Sequence, residues 1–473
     1  MQRYRKFLYL CANRYLYTMK KTILTLCAVF FLITSYAQKT YKYRVTLTDK
    51  ISTEYSLERP QDFLSSRALE RRARQQLTVD STDLPVSKVY LKELETAETR
   101  IVVTSKWNNS VVLEVSDTLL MESLANLSFV KNVKKVWTEP DSIPSRNPER
   151  KREVTNQVEK KTDFYGKGFQ QINIHGGDSL HAAGFRGEGM HVAVIDAGFY
   201  NADHINFFKK IHLLGTRDFV DPDSDIYAEN NHGMMVLSCM AAQMPKVFVG
   251  TAPKASYWLL RSEDADSEQP VEEDYWAAAV EFADSAGVDV VNTSLGYYSF
   301  DDATANYRYR DLDGHYSLMS NTASMAADKG MIVVCSAGNS GRGSWKKITP
   351  PADAENVITV GALTRELINT EFSSVGNTAD GRIKPDVMAI GYRSTVSGND
   401  GTVSRANGTS FASPTFCGVV VCFWQACPWL TAKEVVKIVQ RAGDRADFPD
   451  NIYGYGVPNL WNAYQRISQD RLY

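Results

Sequence analysis

From Gln170 onward, strand-like apolar runs alternate with helical ones, and that alternation leaves few folds open to the chain. His191 to Ile195, Tyr257 to Leu260, Val288 to Val291 and Met331 to Cys335 have strand length and composition. The run after His232 and the segment Asp274 to Ala286 carry helical patterning. Strands separated by helices cannot pair as hairpins, so the pattern predicts an α/β fold with a doubly wound, mostly parallel sheet. In such sheets functional groups collect at the carboxyl ends of the strands. Internal repeats are absent, and the helix-like Ala432 to Arg441 comes close to the end of the chain.

The preceding region follows a different plan. Tyr41 to Thr48 alternates, Phe63 to Arg74 and Val89 to Leu94 are helical, and Arg100 to Thr104 and Ser110 to Ser116 are strand-like. Leu119 to Leu127 then reads as a helix and Phe129 to Trp137 as a strand, which makes residues 38–138 a small α+β domain of ferredoxin-like order. Arg71, Arg72 and Arg74 fall inside a helical pattern and read as a solvated helix face rather than a basic cleavage signal. Residues 139–169 form a linker and processing region, with Pro140, Pro144 and Pro148 among mixed charges and Glu149-Arg150-Lys151-Arg152-Glu153 at its centre. Residues 170–473 are the remaining, larger domain.

Residues 1–37 read as an export signal whose better start is Met19, because Met19-Lys20-Lys21 places a basic pair before the apolar Ile23 to Ile33. Ser35-Tyr36-Ala37 supplies small residues for cleavage after Ala37. Cys27 follows the bulky Leu26, where a lipoprotein signal wants a small residue. Export across the inner membrane, to the periplasm or the exterior, is the expectation, with no stable membrane span. A net charge of -2 gives no basic surface for nucleic acid or an anionic membrane. Beyond the leader, Cys239, Cys335, Cys417, Cys422 and Cys427 are odd in number and sit in apolar runs, so they read as small buried hydrophobes.

Four segments carry chemistry. Val192-Ala193-Val194-Ile195-Asp196-Ala197-Gly198 ends an apolar strand in an acid, which stays charged when buried if an imidazole and backbone N–H groups donate to it. In Asn231-His232-Gly233, the histidine stands at the mouth of an apolar helix, where it could act as general base. Asn407-Gly408-Thr409-Ser410-Phe411-Ala412-Ser413-Pro414 opens a very apolar helix, so the free N–H groups of its first turn would face a carbonyl beside Ser410. Pro414 is expected within that first turn, where its missing N–H costs little. Finally, Val333 to Gly341 is a strand breaking into a loop that presents Asn339, whose amide would donate to an oxyanion beside the N–H of Ser410.

The segments around Asp196, His232, Asn339 and Ser410 resemble those of the subtilisin family of serine peptidases, in the family's Asp, His, Ser order, over roughly residues 170 to 470. Asn292-Thr293-Ser294-Leu295-Gly296 resembles the strand that pairs with substrate backbone, which implies substrate-binding roles for Ser294, Leu295 and Gly296. Met234 and Ala197 depart from the residues usual after His-Gly and after the aspartate, and neither is a reacting group. The N-terminal domain resembles the family's inhibitory, chaperone-like propeptides in element order. The resemblance implies a secreted serine endopeptidase acting on polypeptides, made as an autoprocessed, monomeric precursor that its own propeptide inhibits. An inactive member serving as a binding or chaperone module is the alternative, and such members typically lack a triad residue. No cofactor is implied, and a metal-dependent hydrolase would need the absent H-E-x-x-H. Related proteases often bind calcium. Asp221, Asp223 and Asp225, or Asp311-Leu312-Asp313-Gly314, are candidates, although Ile226 and His232 occupy the glycine and glutamate positions of a calcium loop begun at Asp221.

Overall fold

The computed structural model describes residues 39–51, 53–141 and 164–470, together with Met19 and Lys21. The apolar leader segment, its cleavage point and the charged centre of the linker lie outside the described residues.

In the N-terminal region, β1 (Tyr41–Leu47) is followed by helices α1 (Ser66–Arg74) and α2 (Lys88–Leu94), then β2 (Thr99–Ser105), β3 (Ser110–Val115), α3 (Leu120–Ala125) and β4 (Val130–Thr138). The strands form an antiparallel sheet in the order β2-β3-β1-β4. This is the expected element order, with the two expected helices between β1 and β2. Alternation decides the facing of each strand. Val45, Leu47, Val111 and Leu113 pack with Leu94, Leu124 and Phe129 in a small core. Val112, Val136 and the turn residue Trp107 face the other way, into an apolar cluster shared with Tyr275, Ala278, Met319 and Ala323 of the larger domain.

That larger domain runs through α4 (Phe169–Asn173), α5 (Gly177–Ala182), β5 (His191–Asp196), β6 (His212–Asp218) and α6 (His232–Ala241). A short hairpin of β7 (Gln243–Met244) and β8 (Phe248–Val249) precedes β9 (Ser256–Arg261), α7 (Val271–Ala286), β10 (Val290–Thr293), α8 (Leu318–Asp328), β11 (Ile332–Ser336), β12 (Ile358–Leu363) and β13 (Val387–Ile390). A second hairpin, β14 (Ser394–Ser397) and β15 (Val403–Ala406), leads into α9 (Thr409–Ala426), α10 (Ala432–Arg441) and α11 (Leu460–Asp470). The seven-stranded sheet has the order β13-β12-β11-β10-β5-β9-β6, and every neighbouring pair is parallel. Val192 and Val194 point to the layer of α6 and α9, while Ala193 and Ile195 point to that of α7 and α8, so the sheet is covered on both faces. Helix α9 is buried along its length, which explains why its sequence is apolar all round. The cysteines beyond the leader are free and buried.

The reading of the basic run in α1 is overturned. Arg71 and Arg72 are not a solvated face; they are 2% and 1% exposed. Arg71 Nη2 lies 2.5 Å from Asp284 Oδ1, and Arg72 Nη2 lies 2.8 Å from Asp83 Oδ1 and 3.1 Å from Asp284 Oδ2. Their helix meets the carboxyl end of α7, where Gly287 turns the chain at φ 82° and unpaired carbonyls carry partial negative charge. Arg67 Nε donates to Gly287 O at 2.9 Å, and Arg71 also donates to Val288 O. Arg74 alone of the three keeps a partly exposed side chain, 3.7 Å from Asp289.

Candidate active site

Strand β5 ends at Asp196, which is fully buried. Its Oδ1 accepts from the Ala197 N–H at 2.9 Å and from His232 Nδ1 at 2.7 Å. The imidazole belongs to the first residue of α6, whose backbone N–H donates to Asn230 Oδ1 at 2.8 Å. A side chain at position 233 would meet Gly198 O at 2.4 Å and Asp196 Cβ at 2.7 Å, so glycine after the histidine is what lets helix and strand end close together. Burial disfavours the imidazolium, yet the charge of Asp196 and its hydrogen bond outweigh that cost, so His232 titrates above the ordinary histidine range. At the two departures from the usual pattern, Met234 is wholly in the core and Ala197 donates to Asp196 through its backbone N–H.

Ser410 is the second residue of α9 and is 6% exposed. Its Oγ donates to Ser294 O at 3.4 Å, and no hydrogen bond joins it to His232 among the described residues. Pro414 proves to be the sixth residue of α9, not part of its first turn as the sequence suggested, so it withholds the N–H that would bond to Ser410 O. Ser294 Oγ fills that gap, donating to Ser410 O at 2.9 Å. Asn292 Nδ2 in turn donates to Ser294 Oγ at 3.2 Å, and Ser413 Oγ donates to Asn292 Oδ1 at 2.9 Å. A closed polar circuit thereby ties the end of β10 to the start of α9.

Asn339 follows β11, and its Oδ1 accepts from Thr409 N at 2.9 Å and from Thr409 Oγ1 at 3.0 Å. A backbone N–H only donates, so the carboxamide oxygen must face Thr409 and the NH2 is left for the cleft. His232, Ser294, Leu295, Gly296, Asn339 and Ser410 share the lining of one cleft of about 460 Å³, with Asp196 directly behind the imidazole. A Cβ on Gly296 would meet Thr349 Oγ1 at 2.5 Å, which keeps that wall free of a side chain.

Sequence reasoning missed two acidic residues of the cleft lining. Glu263 and Glu268 lie on the loop after β9, at the same carboxyl edge of the sheet. Burial, then the Asp196 charge, pushes Glu263 up to about 8 against the opposing pull of His232; burial and Asp301 push Glu268 up to about 7. Their acid-rich run reads as a solvated loop unless the return of β9 beside β5 is known. The calcium candidates act locally: Asp221 and Asp225 accept from Asp223 N and Tyr227 N, and Asp313 from His315 N and Tyr316 N. Among the described residues no group of three or more His, Cys, Asp or Glu side chains is placed to hold a metal ion.

The parallel fold and this constellation define a hydrolase of the acyl-transfer class. A model of the subtilase family, peptidase S8, matches residues 187–456, more than half the chain, and one of the peptidase S8 propeptide domain of Bacteroidota matches residues 42–154. The chain belongs to the subtilase family, whose members are serine endopeptidases, and it carries a propeptide domain of that family. It is 30% identical over 294 residues to subtilisin DY of Bacillus licheniformis, covering 61% of this chain and 95% of that protein. It is 29% identical over 277 residues to a thermophilic serine proteinase of Bacillus sp. (strain AK1), covering 58% of this chain and 61% of the relative, less than two thirds of its length. A crystal structure of MycP1 with the N-terminal propeptide removed aligns with TM-score 0.49 at 22% identity, over 62% of this chain and 96% of that one.

Proposed function

We propose that the chain is a secreted, self-processing serine endopeptidase with Asp196, His232 and Ser410 as its triad. The Ser410 hydroxyl attacks a peptide carbonyl while His232 Nε2 takes its proton. The carbonyl oxygen becomes an oxyanion held by Asn339 Nδ2 and the Ser410 N–H. Collapse expels the amine, which His232 protonates, and water repeats the sequence on the acyl-enzyme. Asp196 holds the imidazole by Nδ1 and stabilises its cationic form. The observation that carries this reading is the 2.7 Å bond between Asp196 and His232, together with the lining of one cleft by His232, Ser410 and Asn339. Ser410 must leave its long contact with Ser294 O and turn about χ1, a rotation between staggered wells. Ser294, Leu295 and Gly296 would pair with the substrate backbone along the cleft wall.

The propeptide domain is read as an intramolecular inhibitor. Its last strand is fastened at Thr138, whose N–H donates to Gln269 Oε1 at 2.8 Å and whose O accepts from Gln269 Nε2 at 3.0 Å, beside the start of α7. From there the sequence runs into the proline-rich linker, where self-cleavage would free the mature enzyme. Export follows from the leader; no described helix is long and apolar enough to cross a membrane.

Ser410→Ala tests both halves. Cleavage in the linker and labelling by an organophosphonate serine probe should disappear, with kcat down by about 10⁶-fold, the magnitude being that of subtilisin itself. Normal linker cleavage of that variant, made alone, would overturn the assignment.

A further inference from the structure

Arg365, Arg393 and Arg405 line one surface cavity of about 330 Å³ with Glu366 and Tyr392. Arg365 follows β12, Arg393 lies in the turn before β14, and Arg405 is on β15. None of the three guanidiniums has a carboxylate within ion-pair distance among the described residues. Three cations therefore stand against one nearby acid that pairs with none of them. Partial burial, then Arg365 and Arg393, lowers the Arg405 guanidinium to about 10.

The cluster is held in place rather than splayed into solvent. Arg405 Nη1 donates to Arg393 O at 3.2 Å and to Thr395 Oγ1. Arg393 adopts the left-handed φ of 50°, uncommon for a side chain of its size, and its N–H donates to Asn407 Oδ1 at 2.8 Å. Gly408 N donates to Gly391 O at 2.9 Å, so the ribbon that carries the arginines is fixed to the start of the Ser410 helix. Gathering like charges without counter-ions opposes folding unless an anion is to be received there.

The structure assigns to Arg365, Arg393 and Arg405 a second recognition site, around the ribbon that leads into the Ser410 helix, for acidic side chains of the polypeptide substrate. This rests on the peptidase reading of Ser410. A guanidinium takes a carboxylate through two parallel N–H bonds, and three of them suit a run of Asp or Glu better than a single acid. A polypeptide substrate extended through the cleft has chain beyond it to offer.

The test uses paired fluorogenic peptides that share one cleavage site and carry Glu or Gln at the flanking positions. On the processed wild-type protein the Glu series should show the higher kcat/KM, through KM, and the advantage should fade in 0.5 M salt. Arg365→Gln, and Arg393→Asn, which suits the left-handed backbone, should each reduce the advantage by about twofold to fivefold and leave the Gln series unchanged. Anisotropy of a labelled Glu peptide on the full chain carrying Ser410→Ala reads the same site without catalysis. If no peptide is cleaved yet the Glu peptide binds and Arg365→Gln weakens it, the peptidase reading fails and the arginine site stands. Equal treatment of Glu and Gln peptides, a preference that survives the arginine variants, or binding of inorganic phosphate without any peptide preference would each overturn the site.

Discussion

The sheet of the peptidase domain and the surface on which the propeptide domain rests bury their atoms by opposite means. In the sheet, Val192 to Ile195 of β5, Val290 and Val291 of β10, Ile332 to Val334 of β11 and Ile358, Val360, Ala362 and Leu363 of β12 are aliphatic and inaccessible to water. At the interface a narrow apolar patch around Trp107, Val112 and Val136 is ringed by charge. Arg44 meets Asp274 at 2.5 Å, Arg67 meets Asp289, and Arg71, Arg72 and Lys106 converge on Asp284. Glu281 accepts from Ser105 Oγ at 2.5 Å and from the N–H groups of Lys106 and Trp107 at 2.6 and 3.1 Å. Burial of apolar surface stabilises in any orientation, whereas buried ions offset their desolvation only when each partner is in place. The sheet therefore holds itself together, while the interface is specific and separable. When parted, each half presents a ring of charge around a small apolar patch.

Damage to the sheet should have the largest effect. Trp276 is fully buried on α7 and donates through Nε1 to Thr293 Oγ1 at 2.9 Å. Trp276→Ala should cost about 3–5 kcal/mol and lower the denaturant midpoint of the whole peptidase domain. Asp284→Ala should cost about 3 kcal/mol, because it strands Arg71 and Arg72 without their shared acid, and the loss should fall on propeptide docking alone. Hydrogen exchange in the Ser410→Ala background separates the two: protection should fall in β1–β4 and persist in β10–β12. Equal loss in both sheets would mean that the interface is part of one cooperative core.

What was legible in the sequence follows the same division. The strand ending at Asp196, the helix opened by His232 and the Gly-Thr-Ser start of α9 are set by local patterning and short motifs, so reading along the chain finds them. Even Ala432–Arg441 keeps its expected bounds, fixed by the capping box of Thr431 and Glu434. Arg71 and Arg72 misled because the acid that buries them is Asp284, more than two hundred residues away. Glu263 and Glu268 were invisible for a related reason, since only the pairing of β9 with β5 brings their loop to His232. The function of Pro414 was misread because its consequence, an open carbonyl at Ser410, is answered by Ser294 on another element. Local order is written in neighbours; burial of charge is written in pairs that the chain keeps far apart.

Acid should sharpen the contrast with the smallest of these effects. Burial alone would raise the Asp284 carboxyl, but Lys106, Arg71 and Arg72 outweigh it and hold the group down at about 2, against 3.8 for an ordinary aspartate. A depressed folded value means that the undocked acid takes up protons first. The docking contribution is therefore complete above the ordinary value and drains away as pH falls from about 4 through about 2. The difference corresponds to about 2 kcal/mol. Asp80, on the propeptide side and bonded to Lys329, is likewise held at about 2 and loses its charge over the same window. Strands β10–β12 carry no carboxylate or histidine to protonate. In the Ser410→Ala chain, exchange protection corrected for the intrinsic rate should therefore decline in β1–β4 between pH 4 and 2 before it declines in β10–β12. With Asp284→Asn the decline of β1–β4 should flatten. An unchanged acid profile in that variant would assign the pH response to other carboxylates and leave Asp284 with a purely geometric part in the interface.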